Sequence, residues 1–340
     1  MLSKKSTLLF FFYIFILLLF VTEIFANNGS LLADGSLQAD GSLLKNEPIK
    51  PIINDLKLNK EKVLLGERLF FDKRLSANNT ISCASCHDLE LAGTDAQQFA
   101  TGIYKLKGNV NTPTIFNSRY NVAQFWDGRA DNLAHQAFFP VENPVEMGSQ
   151  WSDVIVKLSL DKAFLADFKV VYNEPISAEL IVDAIAEYET SLITINSPFD
   201  RYLLGDQQAI SEQAKRGYSI FKSYGCISCH QGINIGGNMF HKLGVMISYY
   251  SSEDEQLLKR DLGRFNVTDN LLDKHVFKVP SLRLVTQTAP YFHDGSIKLL
   301  EDAIKTMAKY QLLREISDTD IALIIEFLST QVGQYQRLQP

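Results

Sequence analysis

Apolar positions recur at helical spacing in several stretches of the chain. Ile321, Leu323, Ile324, Ile325, Phe327 and Leu328 follow Ser317-Asp-Thr-Asp320, a capping signature in which a serine side chain closes the first turn. A comparable helix is predicted from Ser177 through Leu180, Ile181, Ile185, Tyr188 and Leu192. Two segments of similar flavour, Gly66-Glu-Arg-Leu-Phe70 and Gly217-Tyr-Ser-Ile-Phe221, also read as helical. Strand alternation is sparse, and long stretches rich in Gly, Asn and Pro read as loops. The pattern predicts a mostly α fold.

The N-terminus has a different pattern. An unbroken apolar run of 14 residues, Leu8 to Val21, follows Lys4 and Lys5 and precedes Ala26. It is short for a membrane span of about 20 residues, so residues 1–26 are predicted to be a secretory signal rather than an anchor. Residues 28–45 repeat a hexapeptide three times, NGSLLA-DGSLQA-DGSLLK, and residues 27–48 read as a flexible leader. Globular structure is expected to begin near Ile49–Pro51.

Of the 340 residues, 46% are hydrophobic, the share of a packed protein rather than a disordered one. A net charge of −6 argues against a nucleic-acid binder, which would show a basic face. Four cysteines are too few for a disulfide scaffold of this size. All four fall in Cys83-Ala-Ser-Cys86-His87 and Cys226-Ile-Ser-Cys229-His230. C-x-x-C-H is the attachment signature of c-type haem: the thiols reach the porphyrin vinyl groups and the histidine lies beneath the iron. A redox disulfide fits less well, because neither motif sits in a βαβ pattern. A shared zinc site would have to join pairs 143 residues apart. The expectation is two cytochrome c-like domains, divided between about Thr194 and Asp206.

Residues 111–147 (NTPTIFNSRYNVAQFWDGRADNLAHQAFFPVENPVEM) and 278–311 (KVPSLRLVTQTAPYFHDGSIKLLEDAIKTMAKYQ) add long motifs around these sites. With them, the chain resembles the bacterial dihaem cytochrome c peroxidases over roughly residues 50–335. The resemblance implies a peroxidatic N-terminal domain, residues 49–200, and an electron-transferring C-terminal domain, residues 201–340. It makes His87 and His230 the proximal ligands, and Met307 the second ligand of the transfer haem, with Met239 and Met246 as competitors. A thioether there favours Fe(II) and raises the potential, as a donor haem needs. Methionine in place of tyrosine also argues against the related branch that makes tryptophylquinone in a protein substrate.

The same resemblance puts Trp126 between the haems, Glu146 in the distal pocket as the proton-handling acid, and Gln136 beside it as a hydrogen-bonding partner. His135 has no role implied and reads as a surface or packing residue. Asn111, Thr288 and Pro290 match a calcium site built of oxygen ligands. His293 is expected to hydrogen-bond rather than to ligate iron. One position departs from the pattern. Many relatives have a loop histidine over the resting peroxidatic iron, and this chain has Ile103 there. Tyr104, Lys105 and Lys107 are the nearby substitutes, although lysine ligation requires deprotonation. The function implied is reduction of hydrogen peroxide in the periplasm by electrons from a small cytochrome c or a cupredoxin, by a protein that forms a dimer. A pure electron-transfer cytochrome and a haem oxidase acting on a protein or another organic substrate are the alternatives.

Overall fold

The computed structural model describes residues 46–250 and 258–337, so the predicted signal and the leader up to residue 45 lie outside the described residues. The first helix among the described residues, α1 (Lys60–Phe70), is opened by Asn59, whose side chain accepts from the Lys62 backbone N–H. It buries Val63, Leu65, Leu69 and Phe70. Next come α2 (Leu133–Glu142), α3 (Trp151–Ser159), α4 (Lys162–Tyr172) and α5 (Ala178–Ser191), the last capped by Ser177. The chain continues with β1 (Thr194–Ile195), α6 (Pro198–Leu203) and α7 (Glu212–Tyr224), which ends on Gly225 at φ +95°. Then follow β2 (Phe240–Lys242), α8 (Phe265–Thr268), β3 (Val276–Lys278), α9 (Leu300–Leu312), α10 (Asp318–Ser329) and β4 (Gln334–Tyr335). The fold is mostly α, as the periodicity predicts. Ser317 caps α10 by accepting from the Asp320 N–H, as its sequence signature requires.

One construction occurs twice. Gly66 on α1 lies against α5 so closely that a Cβ there would stand 1.9 Å from the Ala184 carbonyl oxygen. Gly217 on α7 meets α10 in the same way, with a Cβ position 1.8 Å from the Leu323 oxygen. Each glycine thus lets two helix backbones touch, and this explains the shared flavour of the two segments. Around the first crossing, Leu65, Leu69, Val154, Phe164, Phe168 and Ile181 form a core. Around the second, Phe199, Tyr218, Phe221, Ile324, Phe327 and Leu328 form another, which also takes in Ile49. Burying each such side chain contributes about 1.5–3 kcal/mol.

The strands are brief ties. β1 pairs antiparallel with β4 (Thr194 opposite Tyr335), and β2 with β3 (Phe240 opposite Lys278). A third cluster, with Val63, Phe70, Ile115, Phe116, Tyr188 and Leu284, combines residues of both halves. Arg283 and Asp200, 0% and 1% exposed, form a buried ion pair with both guanidinium arms on the carboxylate at 3.0 and 2.9 Å. The same guanidinium donates to the Ile233 and Lys50 carbonyls, and Asp200 accepts from the Ile52 N–H. This network fastens the first described residues onto the second half.

Candidate functional site

Each C-x-x-C segment folds into a short 3-10 turn, Cys83–Ser85 and Cys226–Ser228. In both, the N–H of the following histidine donates to the first cysteine's carbonyl at 3.0 Å, which sets the histidine under the turn. The rings are held alike. Nδ1 of His87 donates to the Gly93 carbonyl at 3.1 Å, and Nδ1 of His230 to the Ile235 carbonyl at 3.3 Å. The backbones of Pro113 and Pro280 bond the same two rings. Because a carbonyl only accepts, Nδ1 carries the proton and Nε2 keeps its lone pair, the tautomer an iron ligand needs. Burial also pushes both imidazoles toward the neutral form, His230 to about 4.

Burial raises all four thiols, Cys86 to about 12 and Cys226 to about 11. A redox C-x-x-C needs the opposite shift. Among the described residues no group of three or more His, Cys, Asp or Glu side chains is arranged to hold a metal ion, so the two pairs do not converge on a zinc site.

In the second half a cavity of about 250 Å³ is lined by Cys226, Cys229, His230 and, from α9, Met307. Neither Met239 nor Met246 lines it, and Met246 is 54% exposed. Trp126, Asn111, Thr288, Pro290 and His293 line the same cavity, so residues far apart in sequence come together here. The Trp126 Nε1–H donates to the Asn111 carbonyl at 2.9 Å, and the Trp126 carbonyl accepts from the Lys278 N–H at 2.8 Å. The Asn111 side-chain nitrogen donates to the Gln97 carbonyl at 2.9 Å, which leaves the amide oxygen as the end suited to a cation. His293 is buried, stacks on Phe277 at 4.4 Å and donates from Nε2 to Asp261 at 2.8 Å, a hydrogen-bonding role as expected from its motif.

The first site carries an acid. Glu146 lies just after α2, its Oε1 accepting from the Asn143 side chain at 2.7 Å. Its charge bears on both Cys83 and Cys86. Burial raises its pKa, and Arg129 together with the Asn143 bond opposes that rise. Gln136 is half-buried on α2, and His135 beside it is exposed, packed on Phe139. The loop with Ile103 is fastened here. A Cβ on Gly102 would stand 2.1 Å from the Val145 oxygen, and the Ile103 N–H donates to the Glu146 carbonyl at 2.7 Å. Ile103 is 1% exposed, whereas Tyr104 is 70% exposed. Lys105 is also exposed, and Lys107 donates to Gln97 and Thr101. None of the three substitutes is buried beside Glu146.

Sequence reasoning missed Arg129, Asn143 and Lys278. It also missed Glu189, a buried acid on α5 that is pushed up to about 8 and acts on Cys83. One signal was available for Lys278: it stands two residues before Pro280, as Asn111 stands two before Pro113.

A family profile described as di-haem cytochrome c peroxidase matches residues 60–208. The chain is 45% identical over 292 residues to the cytochrome c peroxidase Ccp of Escherichia coli K12, covering 86% of this chain and 62% of that longer protein. It is 40% identical to the cytochrome c551 peroxidase of Nitrosomonas europaea, over 85% of each chain. Among solved structures, a MauG-like protein associated with microbial copper homeostasis superposes with a TM-score of 0.74 at 26% identity, covering 89% of this chain and 96% of the other. On this likeness in sequence and fold, the chain belongs to the di-haem cytochrome c peroxidase family and is a two-haem protein.

Proposed function

We propose that the protein is a periplasmic peroxidase that carries out H₂O₂ + 2e⁻ + 2H⁺ → 2H₂O with electrons from a small cytochrome c or cupredoxin. Its two haems are covalently attached, one through Cys83 and Cys86 over His87, the other through Cys226 and Cys229 over His230, in halves spanning residues 49–200 and 201–340. When bound, the haem irons supply peroxide binding, O–O cleavage and one-electron storage. The residues supply the rest. Glu146 takes the proton from one peroxide oxygen and returns it to the departing one, with Asn143 fixing the carboxyl and Gln136 hydrogen-bonding the substrate side. Met307, which lines the cavity with His230, would help hold the second haem, and Trp126, which lines the same cavity, would carry electrons between the two groups. Asn111, Thr288 and Pro290 hold calcium through oxygen atoms, and the enzyme works as a dimer.

The asymmetry of the two sites supports this reading best. A half-buried acid, its pKa raised by burial, and an aliphatic Ile103 lie on the first side, and a methionine lines the cavity on the second. The predicted signal supports export, and among the described residues no helix is long and apolar enough to cross a membrane. The test is peroxide-dependent oxidation of reduced cytochrome c by purified holoprotein. Glu146→Gln is expected to lower kcat by about 10²–10⁴-fold with haem content unchanged. No turnover by a protein carrying both haems would leave a pure electron carrier.

A further inference from the structure

Lys278 closes β3 and is 8% exposed. Among the described residues lining the 250 Å³ cavity it is the one Lys, Arg, Asp or Glu. No described carboxylate or carbonyl bonds its ammonium group, while every other buried charge in this half is paired: Arg283 with Asp200, and Asp261 with His293. Burial accordingly pushes Lys278 down to about 8. An unpaired ammonium in an apolar cavity is costly, and such a group is retained where an anion enters the same space.

The surroundings of Lys278 indicate which anion. The cavity is the one lined by Cys226, Cys229, His230 and Met307, and its remaining polar side chains are largely committed. Trp126 donates to Asn111, and Gln311 is held by Gly244, Val245 and the Lys242 carbonyl. A haem brings two propionate carboxylates into this space. We propose that Lys278 receives a propionate of the haem attached at Cys226 and Cys229 and, by neutralising it, raises that haem's potential. The proposal rests on the haem assignment made above.

Lys278 and Asn111 hold equivalent places, each two residues ahead of a proline whose backbone bonds a proximal histidine. Both are tied to Trp126, Asn111 through its carbonyl and Lys278 through its N–H. The lysine is therefore the second half's counterpart of the candidate calcium ligand, with its charge set next to the tryptophan between the sites. An unneutralised propionate stabilises ferric iron, so removing the lysine lowers the potential.

The test compares holoprotein with Lys278→Gln and Lys278→Arg. A haemochrome assay first counts haems, and a wild-type chain without haem would overturn the assignment itself and this proposal with it. With two haems present in all three proteins, potentiometric titration is expected to show the C-terminal haem falling in Lys278→Gln. The expected size is about a tenfold change in the reduced-to-oxidised ratio at fixed potential, or 59 mV for a one-electron couple. Lys278→Arg restores most of it, and the methionine–iron charge-transfer band persists throughout. A midpoint that does not move in Lys278→Gln overturns the proposal. So does an Arg variant as low as the Gln variant, or loss of the methionine band, because the potential would then have moved through ligation.

Discussion

A carboxyl group that must take up a proton and hand it on works best with a pKa near the working pH. Glu146 is moved that way by burial and held back by Arg129 and Asn143. The ionised form is the base, so kcat/KM for peroxide is expected to rise with pH as Glu146 deprotonates. Removing the nearby cation in Arg129→Gln lets the pKa climb further, and the acid limb of the profile shifts to higher pH. Glu146→Gln should flatten that limb. A limb that stays put in the Arg129 variant would remove Glu146 as the titrating group. At this scale the proposed haem-attachment residues were legible because C-x-x-C-H is a local chemical pattern. Glu146 was legible only through its long motif, since a lone carboxylate in a loop looks like any surface acid. Arg129 and Lys278 were not, because Arg129 is singled out by its charge near Glu146 and Lys278 by burial without a partner, which no local spacing encodes.

At the scale of elements, the two helix crossings decide whether each half forms. Gly66 and Gly217 bring backbones into contact with Ala184 and Leu323, where any Cβ overlaps a carbonyl oxygen that cannot swing aside. Gly217→Ala is expected to cost about 1–3 kcal/mol or more through overpacking, and Gly66→Ala a similar amount. Ala at exposed Gln213, on the same helix, should stay within about 0.5 kcal/mol. Thermal melts of the holoprotein check this, and equal melting points for Gly217→Ala and Gln213→Ala would refute close backbone contact. The helices themselves were readable from periodicity and caps: Ser177 and Ser317 open α5 and α10 where their patterns begin. The long connections were not. They are held by side-chain-to-backbone bonds and left-handed residues such as Asn117, Phe125 and Leu284, which leave no periodic trace.

At the scale of the whole molecule, the substrate side of the first site depends on a loop that comes from a different segment than Glu146. Gly102 lies directly on the Val145–Glu146 backbone, the Ile103 N–H is bonded to the Glu146 carbonyl, and the Ile103 side chain lies against Gly148. Tyr104 and Lys105 follow with φ of +54° and +62°, so the loop stores strain that this docking has to hold. A buried isoleucine offers iron no lone pair, and the exposed Tyr104 and Lys105 lie outside the docked core. The oxidised enzyme is therefore expected to have an open first iron and to turn over peroxide without prior reduction of the second. Electron paramagnetic resonance of fully oxidised protein should show a high-spin N-terminal haem, and progress curves should lack a lag. Ile103→His supplies a ligand on the same docked loop. It should convert that signal to low-spin and create a lag that pre-reduction abolishes. A wholly low-spin N-terminal haem in the oxidised wild type would mean that another side chain closes the iron, and the docked loop would then be only one of two positions it adopts.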